Sequence, residues 1–374
     1  MKRFFLIYSL VAICILNISS VFSEEHNLLN KEVRNLKPGV IHYIYDYIGE
    51  KGKTKINVLE VDLSNRNISV KVGLPDRKHL KSKEKLTEIV QNEKAFAAIN
   101  ANYFDVSVGN PLGVLISKGD WLVGPIFNRV AIGFTKHNEV FISQIKPNAI
   151  ATLCKGAIKK KQYAMFNING FNTPPHLYEG SGLFTDLFDE EFVVPEGKTA
   201  LLIKRKSIKD VISGSSKVHI NDYLLLTNKS KETELLENGD KVKISWDTIP
   251  EWGNIREAVS GGPYLIMDGQ IYIDEKEERI RFSKNNFYAA RSAIGVDSNN
   301  KLYLITVDAN KNQCMPGLSL KELAKFLYDS GLKDAINLDG GGSSTLVIDG
   351  KMVNIPGSHN ERKISNGLLI MYRD

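Results

Sequence analysis

The sequence predicts an α+β chain, with a strand-rich mixed sheet core and few helices. Two observations carry this. Short apolar or alternating runs, broken by Gly, Asn and Asp, recur from Ile56 onward, and helical periodicity stands out in two segments. The first two dozen residues are of another kind. Lys2 and Arg3 precede an apolar stretch from Phe4 to Ile18, and small or polar residues around Val21-Phe22-Ser23 follow. This is the layout of a secretory signal peptide cleaved after Ser23, with an uncleaved anchor as the alternative, and it places the mature chain outside the cell or at its surface. Ile13 stands before Cys14 where a lipoprotein would carry a small residue. Residues 24–55 read as an N-terminal lead and 56–374 as one large domain, with 200–250 a small strand-rich subdomain or insertion.

Within the body, strands are predicted at Ile56–Val61, Ile68–Val72, Ala95–Ile99, Val130–Phe134, Val140–Ile142, Ala200–Ile203, Tyr223–Leu226, Val242–Trp246, Ala293–Val296 and Leu302–Val307. Ser319 with Glu322 forms a capping box. Leu320, Leu323, Ala324 and Leu327 make one apolar helical face, and Gly331 suits the C′ position. A second helix is predicted from about 82 to 92, with Leu86, Ile89 and Val90 inward. Lys155 to Gln162 and Glu275 to Arg281 read as charged, solvated loops. Three hairpins share a pattern: Gly113 to Trp121, Gly262 to Ile271 and Gly342 to Met352, each turning at Lys-Gly or Asp-Gly. Polar or Gly-rich segments lead into each of them. Hairpins packed side by side would bring Asp105, Ser260 and Asp339 together, and that convergence is the predicted site.

Composition narrows the chemistry. Lys and Arg number 49 against 43 Asp and Glu, a net charge of +6 that becomes +4 once Lys2 and Arg3 are lost. So small an excess gives no footing for a nucleic-acid partner. No segment after the leader is long and apolar enough to span a membrane. Three cysteines make no disulfide scaffold, and Cys154 and Cys314 of the mature chain could pair or stay free. The seven His are scattered without zinc spacing, so no metal is expected. Asp105, Asp308 and Asp339 could hold Ca²⁺ through hard oxygens, but no EF-hand spacing supports it. No cofactor is predicted.

Asn337-Leu-Asp339-Gly-Gly-Gly-Ser-Ser344 follows an apolar strand. Gly340, Gly341 and Gly342 allow close backbone approach, and successive N–H groups with the Ser343 and Ser344 hydroxyls could form an anion nest beside the carboxylate. The plain alternative is a tight turn whose Asp caps the backbone. Asn100, Asn102 and Asp105, with Tyr103 between, combine amide, carboxylate and aromatic groups as sugar sites do; an Asx-rich turn would look the same. Ser260, Gly261 and Gly262 precede the second hairpin. Arg291 offers a bidentate fork for phosphate or carboxylate, or else a surface ion pair. Asp308 ends an apolar strand as Asp339 does, and Arg129 and Arg362 are weaker candidates.

The ordered set Ala97–Asp105, Gly113–Gly119, Ile168–Asn172, Ala258–Pro263, Arg291–Asp297, Val307-Asp308 and Asn337–Ser344, with the closing Arg362 and Ser365-Asn366-Gly367, resembles the phosphodiester glycosidase family. The resemblance implies a hydrolase that cleaves a sugar-1-phosphodiester, or another anionic exopolysaccharide or cell-wall glycan, at its glycosidic bond. Asp339 or Asp105 would act at the anomeric carbon, and Asp308 transfers less directly because Ala309 stands where the family has Gly. Arg291 and Gly340–Ser344 would hold phosphate, and Asn102 and Tyr103 the sugar. A hydrolase cutting the phosphate ester bond and a non-catalytic module for anionic glycans are the alternatives.

Overall fold

The computed structural model describes residues 27–155, 161–189, 191–280, 287–358 and 360–373. The proposed leader, residues 156–160 of the basic loop, and Arg281 lie outside them. Strands dominate. Every predicted strand and both predicted helices are present, with bounds shifted by a few residues.

Three sheets share one core. The largest has eight strands in the order Leu28–Lys37, Val40–Gly49, Gly52–Asp62, Lys301–Val307, Arg291–Val296, Asp334–Asn337, Tyr264–Met267 and Gln270–Ile271. A second runs Val140–Gln144, Val130–Phe134, Glu257–Ser260, Leu115–Ser117 and Asp120–Val123. The third runs Lys351–Met352, Leu346–Ile348, Ala97–Asn100, Gly367–Tyr372 and Ile68–Gly73. Leu59, Leu304 and Ile336 of the first meet Leu115, Ile132 and Val259 of the second and Ile99, Leu346 and Leu368 of the third in a single buried cluster. Burying apolar area from three sheets at once is the main stabilising term here. Helix Leu320–Asp329 covers the large sheet with Leu323 and Leu327 against Val58 and Ile305. Its capping box is formed as the spacing predicts: Ser319 Oγ accepts the Glu322 N–H at 3.2 Å, and the Ser319 N–H donates to Glu322 Oε2 at 2.9 Å. Helix Leu86–Glu93 covers the third sheet through Leu86 and Ile89 against Ala98 and Leu369.

Several expectations change. The lead at 24–55 is not a lead: Leu28–Lys37 and Val40–Gly49 are the outer strands of the large sheet, paired Arg34 to His42 and Tyr43 to Val58. The three core sheets are antiparallel throughout rather than mixed. Among the described pairings, Lys161–Phe171 with Ser181–Phe184 is parallel and the others are antiparallel. The three hairpins form, each on a pair of left-handed residues (Lys118-Gly119, Asp268-Gly269, Asp349-Gly350), but they lie at the edges of three different sheets rather than side by side.

The chain from Lys146 to Ile249 leaves the second sheet and closes a separate barrel. Its strands run Lys146–Lys155, Lys161–Phe171, Ser181–Phe184, Tyr223–Asn228, Lys198–Lys204, Ser207–Ser213 and Lys241–Ile249. Residues 200–250 supply four of these seven. Lys146 pairs with Ile249, so the barrel starts and ends at one place. Cys154 and Cys314 are both free thiols, the first half-buried and the second exposed. No helix among the described residues is long and apolar enough to cross a membrane.

Candidate functional site

The leading ends of the three hairpins converge although the hairpins diverge. The Gly262 N–H donates to Asn337 O at 2.7 Å, and the Asp339 N–H to Ala101 O at 3.0 Å. Gly261 must be Gly, because a Cβ there would stand 2.1 Å from Asn337 O. Asn100 ties the ends together. Its amide donates to Asp339 O at 2.6 Å, and its Oδ1 accepts from Ser292 Oγ at 2.7 Å and the Thr345 N–H at 3.0 Å. Strands from two sheets therefore present Asn100–Tyr103 and Asn337–Asp339 to each other, with Ser260–Gly262 between.

Asp339 is the carboxyl among them. Burial pushes its carboxyl up to about 6, against the opposing pull of the Ser343 hydroxyl, the Arg362 guanidinium and the Gly340 N–H. Arg362 Nη1 donates to Ser343 Oγ at 3.4 Å, and a Cβ on Gly342 would stand 2.4 Å from Arg362 Nη2. The glycine therefore admits this arginine over the loop. Arg362, a weaker candidate from sequence, is the cation that acts on Asp339.

Tyr103 lies within electrostatic reach of Asp339, Arg129 and Arg291, and burial with the Asp339 charge raises its phenol. The phenol accepts from Asn337 Nδ2 at 2.7 Å and donates to Gly262 O at 2.9 Å. Arg129 stands over its ring at 5.2 Å, and Arg129 Nη1 is buried without a hydrogen-bond partner. Asn337 Oδ1 and Ser344 Oγ are likewise buried and unpartnered. Such groups cost about 1–3 kcal/mol each when left unsatisfied. Arg129 also lines an open cavity of about 1460 Å³, together with Phe127, Tyr178 and Glu275.

Other candidates have different roles. The Gly340–Ser344 loop is not an open nest. The Gly341 N–H donates to Ala290 O, that of Ser343 to Gly340 O and that of Ser344 to Gly341 O, so those donors build the turn. Asn102 is consumed as a bracket: its amide donates to Leu112 O and Val114 O, and its Oδ1 accepts the Ser260 N–H. Ser260 Oγ donates to Val130 O at 3.1 Å. Arg291 is buried beside Gly340 but gives Nε to Leu318 O at 3.0 Å and Nη2 to Phe287 O. Asp105 turns outward, where Ser107 caps it through its N–H at 2.9 Å and its hydroxyl at 2.5 Å, and these bonds hold its carboxyl below the usual range. Asp308 is buried at the end of its strand and pushed up to about 7, accepting from the Ile355 N–H at 3.1 Å. It braces the segment whose Gly357 N–H donates to Gly341 O.

One residue escaped sequence reading. Glu278, in the stretch read as solvated, is fully buried behind Gly262. It accepts the N–H groups of Tyr264 at 2.9 Å and Val130 at 3.1 Å, and burial pushes its carboxyl up to about 7. Its sequence signal was slight, a single apolar Ile280 among charges. Among the described residues, no group of three or more His, Cys, Asp and Glu is placed to hold a metal ion.

The family model described as phosphodiester glycosidase matches residues 197–371. The N-acetylglucosamine-1-phosphodiester alpha-N-acetylglucosaminidase of Mus musculus is 40% identical over 112 residues, 28% of this chain and 21% of its own. The chain thus spans about a fifth of the length of the curated relatives it matches. A hypothetical protein from Synechocystis shares the fold with a TM-score of 0.80 at 21% identity, covering 92% of this chain and 64% of the other. The catalytic domain of the zebrafish N-acetylglucosamine-1-phosphodiester alpha-N-acetylglucosaminidase, auto-inhibited by its pro-peptide, gives a TM-score of 0.52 at 20% identity, covering 94% and 97%. Over residues 197–371, the stretch that holds Ser260–Gly262, Arg291, Asn337–Ser344 and Arg362, the chain is similar to the phosphodiester glycosidases, the family its motifs resemble.

Proposed function

We propose that the protein hydrolyses the glycosidic bond of a sugar-1-phosphodiester and releases free sugar and a phosphomonoester. The observation that carries this is Asp339, a carboxyl held up to about 6 and flanked by Arg362 and Ser343. Above pH 6 it is largely ionised and can attack the anomeric carbon or take a proton from water there. As the C–O bond breaks, its electron pair moves onto the phosphate oxygen. Phosphate leaves without strong acid assistance, so the catalytic need is stabilisation of its charge. Arg129, with an unpartnered Nη1 beside the open cavity, and Arg362 supply that charge. Tyr103 and Asn337 shape the floor. Water gives its hydroxyl to the sugar and a proton to the phosphate. The layout of residues 1–23 supports action outside the cell, on a glycan there.

The mouse relative's name makes N-acetylglucosamine-1-phosphodiesters the first substrates to try. Free reducing sugar without phosphate supports this reading. Sugar phosphate as product would move the cut to the phosphate ester bond, and saturable binding without turnover would make the protein a binding module.

A further inference from the structure

We propose that a second cleft, between the barrel and the first hairpin, binds a neutral stretch of oligosaccharide. The cleft measures about 1000 Å³ and shares no lining residue with the Asp339 site. Trp121 of the hairpin and Trp246 of the barrel lie edge to face at 5.8 Å in its wall, and Tyr223, on the barrel, is exposed beside them. Aromatic faces match the C–H faces of sugar rings. Around them stand Asp120, Asp186 and Asp222 as acceptors, and Lys118 and the two barrel cations Arg205 and Lys206 as donors, Arg77 being paired with Glu93 at 2.9 Å. Hydroxyls both donate and accept, so a lining of mixed sign suits them. A nucleic acid would call for an excess of cations instead.

The barrel turn that presents the two cations adds an independent sign. Arg205 and Lys206 form the turn between Lys198–Lys204 and Ser207–Ser213 with φ of 50° and 63°. Turns of this kind ordinarily use Asn-Gly or Gly-Gly. Long side chains in left-handed geometry carry strain, and such strain gathers where side chains act on a ligand. The first hairpin also links the two places. Gly113, at its leading end, packs on Ser260, while Lys118 to Trp121 line the cleft. Five residues of extended chain separate these ends by roughly 16 Å, so a substrate of several sugar units would reach both.

That the occupant is a glycan rests on the reaction proposed above; the cleft, its aromatic wall and its balanced charge do not. The test is calorimetric titration of the full chain with maltohexaose, cellohexaose and chitohexaose. At least one is expected to bind saturably, at least tenfold more weakly to Trp121→Ala. Loss of binding is also expected in the double variant Arg205→Ala, Lys206→Gly, whose relaxed turn keeps the barrel folded; its melting temperature checks that. Asp339→Asn should bind as the unaltered chain does. Binding to none of the three, equal binding by the turn variant, or loss with Asp339→Asn would each overturn the proposal. If no sugar phosphodiester is turned over while this pattern holds, the reaction falls and the cleft stands.

Discussion

Two short strands with nearly the same sequence end in opposite electrostatics. Ala97-Ala-Ile-Asn100 leads to Asp105, and Asp334-Ala-Ile-Asn337 leads to Asp339. Both are buried, and both present their Asn to the junction of the sheets. Yet Asp105 is held below the usual carboxylate range by its own turn, whereas Asp339 is pushed up to about 6 by burial. The local signal, an apolar strand followed by Asn and then Asp, is shared. The surroundings are not: Ser107 reaches Asp105 from two residues away, while Arg362, 23 residues further along the chain, faces Asp339. A carboxylate becomes reactive through what is packed over it.

The sharpest break in this pair is kinetic. Asp339→Asn is expected to lower kcat for sugar release by roughly 10³-fold or more, and Asp105→Asn to leave it within about twofold; equal losses would collapse the distinction. Arg362→Ala comes next, with an expected fall of about 100-fold in kcat/KM from lost charge stabilisation, read in the same assay. Below pH 6 the unaltered enzyme should lose about tenfold in kcat/KM per pH unit as Asp339 takes up a proton. A flat profile from pH 4 to 7 would deny it the basic role.

Stability should separate the two strands further. Asn100→Ala strands the Ser292 hydroxyl, the Thr345 N–H and Asp339 O, and is expected to cost about 3 kcal/mol in urea unfolding. Asp339→Asn works the other way. A folded-state carboxyl raised from 3.8 to about 6 loses stability as pH climbs through that window. The amide variant should therefore be more stable by about 3 kcal/mol at pH 7, with the gain gone below pH 4. Asp105→Asn should shift stability by no more than about 0.5 kcal/mol.

What could be read in advance follows from the same contrast. The strands Val130–Phe134 and Lys301–Val307 were legible because they lie in the core and are apolar almost throughout. The Ser319 box was legible because its chemistry is local. Leu28–Lys37 was not, since an exposed edge strand carries polar residues on both faces. The early half of the barrel was missed for a related reason, its strand Lys146–Lys155 mixing Lys, Pro, Asn and Thr into a half-buried run. Within the site, Asp339 and its glycines declared themselves through composition. The confinement of Asn102 and the burial of Glu278 depend on partners that include Ser260 and Val130, more than a hundred residues away, and no short window contains them.

The pairing of Lys146 with Ile249 also bears on how the chain finds its fold. Val130–Phe134 must meet Glu257–Ser260 across roughly 125 residues of intervening chain. Once the barrel has closed on itself, its two ends are held side by side, and the loop left to close shrinks to roughly 20 residues. That shortening lowers the entropic cost of bringing the second sheet together by about 1.5 kcal/mol. A barrel that forms early thus serves as a clasp, drawing together the strands that lead into Ser260–Gly262.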